Sequence, residues 1–217
     1  MTHKRKRRIG VLGASGTVGR RIVDRLLEGG FDVVCQTRSA AKLADLAGRA
    51  AIHTFDPRHA DGLSRFVSGA DAVIFALGTD NPGATTLFSE STAALIKAMQ
   101  KHGVSRLIAI TGVGAGETRG HGGWLYDWII FPLFTRKRYL DKNKQEDLIA
   151  ASDLDWTIVR PARFTDRPAA AGALQMLTVI DPETRLSRIT RDEVAAFVVA
   201  QLDSDKFVRQ RPFVGHA

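Results

Sequence analysis

A glycine-rich turn near the start of the sequence constrains the fold more than any other feature. Residues 9–19 read Ile-Gly-Val-Leu-Gly-Ala-Ser-Gly-Thr-Val-Gly, an apolar strand followed by Gly13, Gly16 and Gly19. A residue without Cβ allows φ > 0 at the turn, close approach of a ligand to the backbone, and packing of the next helix on the sheet. The spacing predicts a strand, a tight turn and a helix whose N-terminus faces an anion such as a pyrophosphate.

The residues after the turn complete a βαβ unit. Apolar side chains recur at helical spacing from Val18 to Leu27, Gly29 and Gly30 end that helix, and residues 31–37 read as a second strand. The alternative is an ordinary glycine-rich turn that binds nothing. The complete unit favours a phosphate-binding turn over that alternative.

Strands and helices alternate along the rest of the sequence. Further strands are predicted at 51–55, 71–77, 106–111, 156–160 and 213–214, and helices at 40–46, 61–67, 86–102, 140–152 and 191–202. The last helix is predicted to start with a capping box formed by Thr190 and Glu193. This order predicts an α/β fold, a single-domain Rossmann-type doubly wound parallel sheet with helices on both faces. We expect a basic flexible leader at 1–7 and the domain, with small C-terminal substrate-side elements, at 8–217.

Composition and charge exclude several other classes. The 217 residues are 44% hydrophobic and 25% charged, which is typical of one soluble domain. No apolar run reaches the roughly 20 residues of a membrane span, so we expect a cytoplasmic protein. The single Cys35 lies in a predicted strand, which indicates a buried, unreactive thiol. Residues 4–8 supply five charges of the net +8, so specific nucleic-acid binding is not predicted.

The end of the second predicted strand indicates which dinucleotide is bound. An acidic residue there holds a ribose 2′-hydroxyl, whereas an arginine accommodates a 2′-phosphate. Here Thr37, Arg38 and Ser39 occupy the position, and Asp32 lies at the opposite end of the strand. This predicts NADP(H), with NAD(H) less favoured. Asp56 after the third strand is a candidate acceptor for the adenine amino group, although Asp before Pro also forms turns.

The assembled motifs resemble the atypical short-chain dehydrogenase/reductase superfamily, and within it small NAD(P)H-binding oxidoreductases of the biliverdin-IXβ reductase/flavin reductase type. The likeness covers nearly the whole chain, including the glycine turn, Lys101–Val104, Asp141-Lys142-x-x-x-Glu146 and residues 154–161. The cofactor contacts implied by the turn and this resemblance are Gly13, Ser15, Gly16, Thr17, Val18, Gly19, Leu77, Gly78, Thr79, Thr111, Lys142 and Pro161.

The resemblance also identifies candidate catalytic residues. Typical members carry Ser or Thr after the fifth strand and a Tyr-x-x-x-Lys pair on the next helix. Thr111 and Lys142 match the first and last of these, which puts Arg138 at the tyrosine position and Tyr139 one residue later. Counting from Tyr139 instead places Asn143 where lysine is expected. Neither alignment completes the pair, so tyrosine-based carbonyl reduction is not predicted.

A planar hydride acceptor fits the incomplete pair. Hydride transfer to a flavin, quinone or tetrapyrrole needs mainly proximity and orientation, and water can supply the proton. Arg138 or Arg163 is a candidate partner for an anionic group on it. We expect a monomer or homodimer and no metal site. The alternatives are a redox sensor of the NmrA type that binds the dinucleotide without catalysis, and a sugar-nucleotide epimerase or dehydratase.

The segment 124–134 is rich in aromatic residues. Trp124, Tyr126 and Trp128 are candidates to stack on a planar substrate. An amphipathic helix packed on the core is the favoured alternative for this segment, followed by a substrate lid or pocket wall and then by a dimer or membrane-surface patch.

Overall fold

The computed structural model describes residues 5–79, 85–112, 136–166, 173–179, 184 and 186–216, with side chains of 136–139 excepted. The strands in these residues are β1 (Arg8–Leu12), β2 (Asp32–Thr37), β3 (Ala51–Thr54), β4 (Ala72–Phe75), β5 (Arg106–Ile110), β6 (Asp155–Pro161), β7 (Phe164–Thr165), β8 (Gln175–Leu177), β9 (Ile189–Thr190) and β10 (Phe213–Gly215). The α-helices are α1 (Thr17–Glu28), α2 (Ala60–Val67), α3 (Leu87–His102), α4 (Arg136–Ala150) and α5 (Arg191–Ala200).

The main sheet has the order β3-β2-β1-β4-β5-β6-β10-β8. Its neighbouring strands are parallel except β10 and β8, which are antiparallel. The strand order reverses between β1 and β4, where Leu12 pairs with Phe75 on one side and Gln36 on the other. In doubly wound sheets, ligands bind beyond the carboxyl ends of the strands at this reversal. The topology therefore confirms the predicted fold class and locates the candidate site.

Helices cover both faces of the sheet, as the alternating pattern predicts. In β1, Ile9 and Val11 join the apolar core under α1 and α5, whereas Leu12 belongs to the core under α2, α3 and α4. This division follows from strand geometry, because successive side chains point to opposite faces. Cys35 is buried in the first of these cores. The predicted burial is confirmed, and this burial raises the pKa of the Cys35 thiol to about 12.

Several predicted boundaries are wrong by a few residues. The predicted helix at 40–46 is a 3-10 helix with a kink at Leu43, and the last helix ends at Ala200 before a 3-10 turn. Helix α4 begins at Arg136 rather than at residue 140. The short strands β7, β8 and β9 were not predicted, because pairs of two or three residues carry no detectable alternation. The capping box of Thr190 and Glu193 is confirmed.

The end of the expected leader contacts the domain. Arg5 pairs with Asp71, and Arg7 pairs with Asp203 and donates to the carbonyl of Leu202. Residues 1–4 and the aromatic segment 124–134 lie outside the described residues. No helix in the described part of the chain is both long and apolar enough to cross a bilayer.

Candidate functional site

Two glycines of the turn are required by the turn itself. Gly13 has φ +87°, and a Cβ on it would lie 2.8 Å from the carbonyl oxygen of Ala76, just beyond β4. A Cβ on Gly19 would lie 2.2 Å from the carbonyl oxygen of Gly13. Gly13 therefore has the expected role in the turn. Gly19 was expected to let helix α1 pack closely on the sheet. Instead, Gly19 packs against the turn itself, at Gly13 and Ala14.

Gly16 leaves the start of α1 open. It is exposed, occupies the N-cap position and contributes no capping side chain. The first amides of a helix have no partner within the helix, and across the described residues those of Thr17, Val18 and Gly19 have none elsewhere. The first turn also carries no acidic residue. Free N–H donors at the positive end of a helix dipole fit a pyrophosphate.

The predicted residues after β2 gather around the turn. The buried hydroxyl of Thr37 lies 3.0 Å from the hydroxyl of Ser15 and accepts from the amide of Ser39 at 3.1 Å. It also lies 3.1 Å from the carbonyl oxygen of Ser39. Thr37 therefore holds Ser15 and Ser39 in place, and these contacts occupy the Thr37 hydroxyl group.

Arg38 offers an exposed guanidinium at the carboxyl end of β2, next to the glycine turn. It is exposed and, within the described residues, forms no ion pair or side-chain hydrogen bond. Nearby Arg20 is held by Asp45 at 2.6 Å and by Asp24 at 3.1 Å. Hydrogen bonding to Asp45 is the main cause that raises the pKa of Arg20. An anion that binds here would therefore contact a guanidinium whose positive charge is not neutralised by any carboxylate of the described residues.

Asp56 is already hydrogen-bonded within its own turn. Its carboxylate accepts from the amide of Arg58 at 3.0 Å and from the guanidinium at 2.9 and 2.7 Å. The bond from the Arg58 side chain is the main reason why the pKa of Asp56 lies well below its ordinary value. These contacts match the turn-forming alternative, while the carboxylate keeps lone pairs for a further donor.

The other predicted contacts lie at the carboxyl ends of β4 and β6. Leu77, Gly78 and Thr79 follow β4, and a Cβ on Gly78 would meet nothing within 4 Å. The Cα of Leu77 lies 2.9 Å from the position that a Cβ on Gly13 would take, so this segment borders the turn. Pro161 ends β6, is buried and pairs with Val214 of β10.

Thr111 and Lys142 come together beyond β5. The Nζ of Lys142 donates to the carbonyl of Thr111 at 2.8 Å and lies 4.7 Å from the centre of the Phe88 ring. The Thr111 hydroxyl, however, donates to Oε1 of Glu146 at 2.7 Å in a buried contact. The hydroxyl hydrogen of Thr111 is therefore already engaged by Glu146.

Glu146 forms a buried ion pair that sequence reasoning missed. Its oxygens contact Arg160 of β6 at 2.5 and 3.2 Å, and the side chains of Glu146 and Arg160 are 3% and 7% exposed. Arg211 lies 3.8 Å from the same carboxylate. Glu146 thus accepts from Thr111 and Arg160 and fixes α4 against β6. The Asp141-Lys142-x-x-x-Glu146 motif contained this signal, because it carries a carboxylate one turn after the lysine.

Asp141 completes the motif by capping α3. Its carboxylate accepts from the amides of Phe88 and Ser89 at 2.8 and 3.3 Å and from the Ser89 hydroxyl. These amides belong to the first turn of α3, which needs acceptors. Asp141 therefore holds the N-terminal half of α4, and with it Lys142, against the first turn of α3.

For the remaining candidate residues, the described side chains do not show a position in the site. Arg138 and Tyr139 lie in the first turn of α4, but their side chains are outside the description, as are residues Trp124, Tyr126 and Trp128. Arg163 is exposed between β6 and β7, and its carbonyl accepts from the amide of Ile189. Across the part of the chain that is described, no three His, Cys, Asp or Glu residues form a metal-binding group.

Two curated proteins are similar to the chain in sequence. The photosystem II assembly factor Ycf39 of Synechocystis sp. is 28% identical over 219 residues, which covers 96% of the chain but only 62% of Ycf39. The uncharacterized sugar epimerase YhfK of Bacillus subtilis is 26% identical over 215 residues, 94% of the chain and 91% of YhfK.

A solved structure and a family model complete the comparison. ChuY, an anaerobilin reductase from Escherichia coli O157:H7, superimposes with a TM-score of 0.80 at 24% identity over 96% of the chain and 97% of ChuY. At that identity, the likeness shows the fold. The model of a family described as NAD(P)H-binding matches residues 13–205, from the glycine turn through α5. The resemblance seen in the sequence is thereby confirmed, and the chain belongs to the NAD(P)H-binding family.

Proposed function

We propose that the chain binds NADP(H) in preference to NAD(H). The observation that carries this proposal is Arg38, an exposed guanidinium without an ion-pair partner in the described residues, at the end of a strand that bears no carboxylate there. Arginine meets a phosphate with two parallel hydrogen bonds. Ser15 and Ser39 both contact Thr37, the residue before Arg38, and would donate to the same phosphate, while the α1 amides would hold the pyrophosphate.

We further propose that the chain is a reductase of a planar acceptor such as a flavin, quinone or tetrapyrrole. Bound NADPH would supply the hydride. Lys142 would hold the nicotinamide ribose, because its Nζ is fixed beside β5 by the carbonyl of Thr111. The Thr111 hydroxyl donates its hydrogen bond to Glu146, and the Glu146 carboxylate also accepts from Arg160, so neither side chain is arranged to protonate a carbonyl. An acceptor that takes its proton from water suits this arrangement. The fold likeness to ChuY supports a reductase.

The second candidate is a redox sensor of the NmrA type, which would bind the same dinucleotide without turnover. The incomplete Tyr-x-x-x-Lys pair supports it, whereas Lys142 in the expected place supports the enzyme. An epimerase, suggested by YhfK, ranks last because its chemistry needs the tyrosine that Arg138 replaces.

Cofactor preference is tested by titrating NADPH and NADH into the wild-type protein and into Arg38→Glu. Losing charged hydrogen bonds and adding repulsion should weaken NADPH binding about tenfold or more, with NADH affinity nearly unchanged. Arg49→Glu is the matched control, because Arg49 is exposed just before β3 and therefore lies at the amino ends of the parallel strands, away from the carboxyl end of β2 that Arg38 follows. Wild-type preference for NADH, or equal binding of NADPH by Arg38→Glu, would contradict the proposal.

A further inference from the structure

A buried glutamine crosses the carboxyl ends of three strands next to the glycine turn. Gln36, the penultimate residue of β2, is 1% exposed. Its Oε1 accepts from the amide of Gly13 at 3.0 Å, and its Nε2 donates to the carbonyl of Phe55 at 2.7 Å. Gly13 follows β1 and Phe55 follows β3. One side chain therefore ties the glycine turn to the end of the sheet's edge strand.

The partners fix the orientation of this amide. A backbone N–H only donates and a backbone carbonyl only accepts, so Oε1 must face Gly13 and Nε2 must face Phe55. The main-chain carbonyl of Gln36 also accepts from the amide of Ala14 at 3.0 Å. Gln36 thus occupies both of the first two amides of the turn. Within the described residues, the amides of the turn and of the start of α1 that have no acceptor are those of Ser15, Thr17, Val18 and Gly19.

We infer that Gln36 is a positioning residue for the pyrophosphate of the dinucleotide. It holds Gly13 at its positive φ against β4, and this conformation sets the direction in which the α1 amides point. A buried polar side chain is costly unless both of its ends are hydrogen-bonded, and here both are. The inference rests on the proposed dinucleotide binding and assigns a role that Arg38 does not have.

Three ligands separate this role from that of Arg38. ADP-ribose contains the pyrophosphate without the 2′-phosphate, adenosine 2′-monophosphate contains the reverse, and NADP+ contains both. Gln36→Met and Gln36→Leu keep a core-sized side chain and remove both hydrogen bonds. We expect each to weaken ADP-ribose and NADP+ about tenfold, while adenosine 2′-monophosphate changes less than about twofold. Arg38→Glu should show the opposite selectivity, with adenosine 2′-monophosphate weakened and ADP-ribose spared.

The control is Gln201→Leu, which removes a buried amide that donates to the carbonyl of Phe197, in the 3-10 turn after α5. It should leave the affinities for all three ligands unchanged. Unchanged ADP-ribose binding by folded Gln36 variants, or an equal loss for ADP-ribose and adenosine 2′-monophosphate, overturns the role of Gln36 alone. A wild-type protein that binds neither NADP+ nor ADP-ribose overturns the proposed function as well.

Discussion

Gly13 and Gly30, two of the described glycines with positive φ, show at the residue scale why only Gly13 of this pair is tied to the site. Their φ values are +87° and +78°, yet a Cβ on Gly13 would meet the backbone of Ala76 and Leu77, whereas a Cβ on Gly30 would meet nothing within 4 Å. The two glycines therefore have similar φ values, but only Gly13 is crowded by neighbouring backbone atoms. Gly13 is thus needed for the close approach of β1 and β4 as well as for the turn.

This difference predicts unequal costs for alanine substitutions. Gly30→Ala should lose only the left-handed preference, about 1 kcal/mol of unfolding free energy. Gly13→Ala adds a backbone clash and should lose about 3 kcal/mol or more, together with dinucleotide binding. Urea unfolding of both variants measures the two losses. Equal losses would show that the crowding at Gly13 is relieved at little cost.

Sequence reasoning reached some residues of the site and not others for physical reasons. The glycine turn and Arg38 are local patterns, because their roles depend on neighbours within a few residues of the same chain. Gln36 depends on Phe55, which follows a different strand, so only the register of β1, β2 and β3 reveals it. The role of Thr111 was likewise hidden, because its partner Glu146 lies 35 residues away.

At the element scale, helix α4 is held by a buried ion pair that also orients the candidate site. Glu146 and Arg160 join α4 to β6, and Thr111 at the end of β5 donates to the same carboxylate. Removal of one partner leaves a buried charge uncompensated, which costs about 3–5 kcal/mol. The placement of Lys142, one turn before Glu146, therefore depends on this pair.

A double-mutant cycle tests the pair. We expect Glu146→Leu and Arg160→Leu each to lower the free energy of unfolding by about 3 kcal/mol or more, and the double variant to lose much less than the sum. Urea denaturation provides all three values. Additive losses would mean that the two side chains stabilise the protein independently.

The start of α5 predicts a pH dependence. Burial raises the pKa of Glu193, but hydrogen bonds from Thr190 and His216 outweigh it, so that this pKa lies below its ordinary value of 4.5. Because the pKa is lower in the folded state, the stabilisation is complete above the ordinary value and is lost as the pH falls through the folded-state value.

Glu193→Gln should therefore cost about 1 kcal/mol at pH 7, a typical loss for a helix cap, and much less at pH 3. Unfolding curves at the two pH values measure the difference, with Glu28→Gln as the control, because Glu28 is exposed at the end of α1 and forms no ion pair within the described residues. A cost that does not change with pH would exclude the carboxylate of Glu193 as its source.

At the scale of the whole molecule, the alternation of strands and helices was sufficient to predict the doubly wound sheet. Each apolar strand pairs in parallel and each amphipathic helix covers a face, so the topology follows from local periodicity. The antiparallel β8 and the short pair of β7 and β9 do not follow, because they depend on where distant segments return to the sheet. The cytoplasmic location and the monomer or homodimer state stay predictions.

The central claim is that the chain passes a hydride from NADPH to a planar acceptor. Its most direct test is NADPH oxidation by the wild-type protein with FMN, biliverdin or menadione as the acceptor, beside a small aliphatic ketone as the negative control. The account predicts turnover with at least one planar acceptor, none with the ketone, and a marked loss in Lys142→Ala. If the protein binds NADPH tightly but oxidises it with none of the three planar acceptors, the proposed hydride transfer is contradicted and the redox sensor is favoured.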